Sequence, residues 1–178
     1  MYEHILLDGS KFANIVNVCP DLSKQTVVMN GVSKAYAMTG WRIGYCGGPQ
    51  ELIEAMENVQ SHSTSNPASI SQYAAEAALT GDQSCIEPML KAFKERGKFI
   101  AEALNRIPGV KCLAPSGAFY AFPDCREAIA NLHKAGKIAE PTDLALCDYL
   151  LTQPKAVAAV PGSAFGAEGY LRISFATS

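Results

Sequence analysis

The chain has 178 residues, with 15 Lys and Arg against 17 Asp and Glu, and a formal net charge of −2. Apolar residues make up 48% and charged residues 18%, enough to bury a core, which excludes a disordered chain. The near-neutral, slightly acidic balance argues against a nucleic-acid binder, and no apolar run approaches the roughly 20 residues of a membrane-spanning helix.

The length suits one ordinary domain or parts of two. The opening, MYEHILLDGSK, lacks a basic segment followed by an apolar one, so no secretory leader is expected. Gln25 to Met29 and Trp41 to Cys46 have the composition of short strands, the second closed by Gly47-Gly48. Pro49 is expected to start a helix, with Leu52, Ile53, Met56 and Val59 at helical spacing. The polar stretch Ser61 to Asn66 breaks it. Pro67 then starts a second helix, which Thr80-Gly81-Asp82 ends. Ser84 and Glu87 have the spacing of a capping box ahead of the longest helix, whose face carries Met89, Leu90, Phe93, Gly97, Ile100, Leu104 and Ile107. Gly97 inside that helix suggests close packing, and Lys91 to Lys98 suggests its solvent face. Past Pro108-Gly109, strands are expected over Val110 to Leu113, Ala118 to Phe122, Ala156 to Val160 and Tyr170 to Phe175, with a helix from Thr142 to Leu151. Alternating strands and helices favour an α/β class, as two bodies joined by the long helix.

Six cysteines, at 19, 46, 85, 112, 125 and 147, include no C-x-x-C pair. Reduced thiols in a cytoplasmic protein are therefore expected, and no metal site. His4, His62 and His133 form no i, i+4 pair and are expected to be surface or structural. Gly44 to Gly48 lacks phosphate-loop spacing, and Gly162-Ser-Ala-Phe-Gly166 lacks the spacing of a serine nucleophile turn.

The informative stretch is Thr26 to Trp41, TVVMNGVSKAYAMTGW, where Lys34 is the one charged residue. Burial lowers a lysine's pKa from about 10.4 and frees a neutral amine for carbonyl chemistry. A stem lying along the core with its head in water fits the same spacing. Arg42 follows eight positions later, and the two cations make sense together around an anion such as a phosphate. On a strand, Tyr170, Arg172 and Ser174 share one face and Leu171, Ile173 and Phe175 the other. Arg172 fits either a cleft, where a carboxylate would pair with it, or an exposed edge.

The run Ser33-Lys-Ala-Tyr-Ala-Met-Thr-Gly-Trp-Arg-Ile-Gly-Tyr45 closely resembles the lysine motif of class I, fold-type I aminotransferases, which use pyridoxal 5′-phosphate (PLP). Tyr2-Glu-His with Asp8-Gly9, Pro115-Ser-Gly-Ala-Phe-Tyr120, Val160-Pro-Gly162 and Leu171 to Ser178 follow in family order. The resemblance is nearest the bacterial aspartate aminotransferases. It implies the end of a large PLP domain with a mixed, mostly parallel sheet over residues 1–82, a linking helix over 83–107, and most of a small α+β domain over 108–178. It implies that Lys34 forms the aldimine with PLP and shuttles a proton, that Arg42 binds the cofactor phosphate, that Tyr2 hydrogen-bonds the cofactor's phenolate oxygen, and that Arg172 binds the substrate carboxylate. The implied enzyme is a cytoplasmic homodimer moving an amino group between aspartate and 2-oxoglutarate, with the loop 61–66 near the dimer interface. The serine that many relatives carry three residues before the lysine is here Gly31. The family's aspartate for the pyridine nitrogen precedes the tyrosine by three residues, and Tyr2 is the second residue, so the chain is expected to be an internal or C-terminal piece of a longer enzyme, inactive in isolation and prone to associate. A PLP-binding sensor module of an aminotransferase-like transcription regulator is the alternative. A lysine-nucleophile enzyme such as an aldolase is a third reading, disfavoured by the spacing of Arg42 and Arg172.

Overall fold

The computed structural model describes residues 1–177, and Ser178, the last residue of the final motif, lies outside them. The chain divides into two compact units, one of residues 1–6 and 10–89, the other of 7–9 and 90–178.

The first unit begins with a turn closed by the Ile5 N–H on the Tyr2 carbonyl at 2.8 Å. The short helix α1 (Ile15–Val18) and a 3₁₀ segment (Pro20–Gln25) follow. Strands β1 (Val28–Gly31) and β2 (Gly44–Gly47) pair antiparallel, with Asn30 opposite Tyr45 and Gly31 opposite Gly44. Residues 32–43 between them hold a turn and one 3₁₀ turn (Thr39–Trp41), with no helix to carry the chain back along the sheet. A parallel pair needs such a crossover. Among the described residues both sheets are antiparallel, so the part of the expected mixed, mostly parallel sheet that lies here is an antiparallel pair. Two helices complete the unit, α2 (Gln50–Ser61) and α3 (Ser69–Thr80). α3 starts two residues after Pro67 and ends where Gly81 donates its N–H to the Ala77 carbonyl. It buries Ser71 and Ala75. The apolar stripe of α2 forms as spaced, but Leu52, Met56 and Val59 are exposed.

Helix α4 (Ile86–Leu104) runs from the first unit into the second. The expected capping box does not account for its start, because the Ser84 hydroxyl donates to Asp82 instead. Phe93, Gly97 and Ala101 are its buried positions. A Cβ on Gly97 would lie 3.2 Å from Leu7 and 3.4 Å from Pro115, so a side chain there would need those neighbours to give by a few tenths of an ångström. Lys91, Lys94, Glu95 and Lys98 are exposed on the same helix.

In the second unit, β3 (Tyr120–Ala121), β4 (Val160–Pro161) and β5 (Leu171–Ser174) form a three-stranded antiparallel sheet with β5 central. The strands expected over 110–113, 118–122 and 156–160 shrink to a Lys111–Asp124 bridge and two-residue pairings. Their extent is set by what β5 can pair with rather than by local composition. Helix α5 (Arg126–Lys134) was not expected from the pattern, whereas α6 (Asp143–Leu151) was, and the Thr142 hydroxyl caps it by accepting the Ala145 N–H. Cys125, Ile129, Ile138, Leu146, Cys147 and Leu171 form the core between these helices and the sheet. All six cysteines are free, and burial pushes the Cys125 thiol up to about 11.

Candidate functional site

Lys34 sits in the turn that follows β1, half-buried, between Val32 and Ala35. Those two side chains, with Ile5, are fully or almost fully buried. The turn is closed on both sides of the lysine. The Val32 carbonyl accepts the N–H groups of Tyr36 and Met38 at 3.3 and 3.4 Å, and the Lys34 carbonyl accepts that of Ala37 at 3.2 Å. The backbone under the amine is therefore fixed by buried neighbours and by its own hydrogen bonds.

Asn30 connects this turn to the start of the chain. Its amide Nδ2 donates to Glu3 Oε1 at 2.5 Å, and its Oδ1 accepts the Gly31 N–H at 2.8 Å. The residue next to Tyr2 is thereby tied to the strand that leads into Lys34. Tyr36 packs edge-on against His4, at 5.9 Å between ring centroids, and donates its hydroxyl to Gln83 Oε1 at 2.8 Å. Burial and the Glu3 carboxylate push the Tyr36 and Tyr45 phenols up, so both stay protonated donors.

Arg42 follows the 3₁₀ turn in the left-handed region, at φ 51°. Its Nη1 donates to the Thr39 carbonyl at 2.9 Å, and the side chain is exposed. One of the five guanidinium N–H groups is used in that bond, which leaves a fork for an anion.

Arg172 lies in the second unit, on the polar face of β5, half-buried, with Leu171 and Phe175 buried on the opposite face. Its Cζ lies 4.8 Å from the centroid of the Tyr120 ring and 4.5 Å from that of Phe165. The pattern of residues signalled the arginine but not its two rings. Phe165 belongs to the Gly162–Gly166 run, which by its sequence was notable only for its serine. Lys34, Arg42 and Tyr2 belong to the first unit, Arg172 to the second. Among the described residues no group of three His, Cys, Asp or Glu side chains is placed to hold a metal ion, and no helix is long and apolar enough to cross a membrane.

The family model for aminotransferase class I and II matches residues 1–178. The chain belongs to that family. It is 64% identical over 178 residues to an aspartate/prephenate aminotransferase of Nitrosomonas europaea, covering all of this chain and 45% of that protein. It is 49% identical over 178 residues to an aspartate aminotransferase of Geobacillus stearothermophilus, covering all of this chain and 44% of that one. Among solved structures, the aspartate aminotransferase of Rhizobium meliloti superposes with a TM-score of 0.87 at 47% identity, over all of this chain and 44% of that chain. The aromatic aminotransferase of Pyrococcus horikoshii does so with a TM-score of 0.85 at 36% identity, over all of this chain and 45% of that chain. The fold is thus the α/β fold of these aminotransferases, and the chain spans a little under half the length of the curated relatives it matches.

Proposed function

We propose that these residues are the cofactor-lysine segment of a longer PLP-dependent aminotransferase. The observation that carries this reading is the 64% identity to an aspartate/prephenate aminotransferase along all 178 residues. The donor set agrees with the cofactor. A primary amine (Lys34), a guanidinium (Arg42) and a phenol (Tyr2) lie in one unit, and they suit a carbonyl, a phosphate and a ring oxygen respectively. Bound there, PLP supplies the electron sink that allows the C–H bond beside an amine to ionise.

The remaining work falls to the chain. Lys34 would hold the cofactor through Nζ and, once freed by the incoming amino acid, would take the proton from the substrate's Cα on that same amine. Arg42 binds the phosphate with its in-plane fork. Tyr2 donates to the cofactor's ring oxygen. Arg172 binds the substrate's carboxylate. Residues 1–82 would close the large domain, 83–107 would link, and 108–178 would form most of the small domain of a cytoplasmic homodimer. The relatives' names favour aspartate as amino donor and, in one, prephenate as a further substrate; 2-oxoglutarate is the acceptor that the family resemblance implies. Nothing observed favours the regulator reading.

The test is turnover by the complete polypeptide that carries these residues. Aspartate and 2-oxoglutarate should yield oxaloacetate and glutamate, and prephenate should be tried as the second acceptor. A folded, PLP-loaded protein that turns over neither pair contradicts the reading.

A further inference from the structure

The rings around Arg172 are held by a device that starts on another helix. After β4, the chain makes the 3₁₀ turn Gly162–Phe165, closed by Gly166 in the left-handed region. The turn lies directly on β5. The Gly162 N–H donates to the Tyr170 carbonyl at 2.7 Å, and the Gly162 carbonyl accepts the Ala167 N–H at 3.0 Å. A Cβ on Gly162 would fall 2.7 Å from Tyr170 Cβ and closer still to the Ala167 carbonyl, so a side chain there would push the turn away. The next residue is fastened from the other side. Asp143, in the first turn of α6 and only 3% exposed, accepts the Ser163 N–H on Oδ2 at 2.6 Å, while its Oδ1 accepts the Leu144 N–H at 3.1 Å. A charged acceptor makes this a strong hydrogen bond, and its burial shields it from water.

Pinned at Gly162 and Ser163, the turn delivers Phe165 to Arg172. Phe165 is braced in turn by Phe122, edge-on at 6.3 Å and 83°, and Phe122 stacks on Tyr170 at 5.3 Å and 18°. The contacts of the Arg172 guanidinium are with the Tyr120 and Phe165 rings. Ring contacts engage a cation through the ring face. They consume none of the guanidinium's N–H donors, which radiate in its plane.

We infer that Phe165 is a positioning residue. With Tyr120 it sandwiches the Arg172 guanidinium, and Asp143, through the Ser163 N–H, keeps Phe165 in place, so that the fork is ordered before a carboxylate arrives. An arginine ordered in advance loses less freedom on binding, and the gain appears as affinity. This inference rests on the reading of Arg172 as the carboxylate-binding residue.

Two measurements test it. In the complete enzyme, the Arg172 Hε resonance should be shifted upfield by the two rings. Phe165→Tyr should keep the shift. Phe165→Leu and Asp143→Asn should each move the resonance toward the position of an exposed arginine. No ring shift in the unaltered chain, or a shift that survives Phe165→Leu, overturns the sandwich; one that survives Asp143→Asn overturns the role of Asp143. In the complete enzyme, Phe165→Leu should raise KM for the amino acid about fivefold to tenfold with kcat within about twofold, and Phe165→Tyr should restore KM. A fall in kcat with KM unchanged overturns the inference. Arg172→Lys separates the two ideas. If it leaves KM unchanged, Arg172 does not bind the carboxylate. If it raises KM while Phe165→Leu does not, the positioning role alone fails.

Discussion

At the residue scale, charged side chains in this protein divide into those read by local spacing and those whose environment comes from distant partners. Lys34 and Arg42 were legible because each stands alone in a stretch of apolar and small residues. Asp143 was not. It follows a helix-capping threonine, where acidic residues commonly sit exposed, and only the 20-residue reach to the Ser163 N–H accounts for its burial. Asp124 gives a test at this scale. Arg126 donates to it through Nε at 2.9 Å and Nη2 at 2.6 Å. Those hydrogen bonds hold its carboxyl down to about 2. A carboxylate depressed in the folded state adds stability at pH values above its unfolded pKa of about 3.9, and that stability is lost as the pH falls through the folded value. The window is therefore between about pH 4 and pH 2. The pair is at the surface, with the Arg126 side chain 65% exposed, so its effect on stability is small. An NMR titration should give Asp124 a midpoint near 2, and Arg126→Ala should return it toward about 3.9. A midpoint near 4 in the unaltered protein would contradict the pairing.

At the scale of elements, helices with several turns of regular apolar spacing were readable, and the two-residue strands were not. α4 and α6 carry periodicity and end signals of their own. β5 was readable because Leu171, Arg172, Ile173 and Ser174 alternate apolar and polar. β3 and β4 are two residues each, and nothing local distinguishes such a pair from the loop around it. α5 escaped because REAIANLHK has only Ile129 and Leu132 as large apolar residues, three apart, among polar ones. Yet Ile129 is 2% exposed and belongs to the core of the second unit. Leu113 is the converse, counted toward a strand by its composition but 91% exposed. Ile129→Ala should lower the unfolding free energy by about 2–5 kcal/mol, and Leu113→Ala should change it by no more than about 0.5 kcal/mol. Chemical denaturation of the two variants beside the parent measures both. Equal effects would mean that α5 does not pack as described.

For the whole molecule, the family was legible early because its motifs lie in order along the entire chain, and the match over residues 1–178 agrees. The division into two units inside α4 was less legible, since a continuous apolar stripe gives no sign of where packing partners change. The apolar stripe of α2 shows the same limit from the other side. Its spacing announces a buried face, but burial needs a partner, and Leu52, Met56 and Val59 have 46%, 38% and 71% of their surface exposed. The account's central claim is that Lys34, whose turn is fixed by the buried Val32 and Ala35 on either side of it and by its own hydrogen bonds, is the lysine that holds PLP. Borohydride reduction of the complete, PLP-loaded polypeptide, followed by peptide mapping, tests this most directly. The account predicts a pyridoxyl label on Lys34 and its loss in Lys34→Ala; a label on any other lysine, or an unchanged yield in Lys34→Ala, would contradict it.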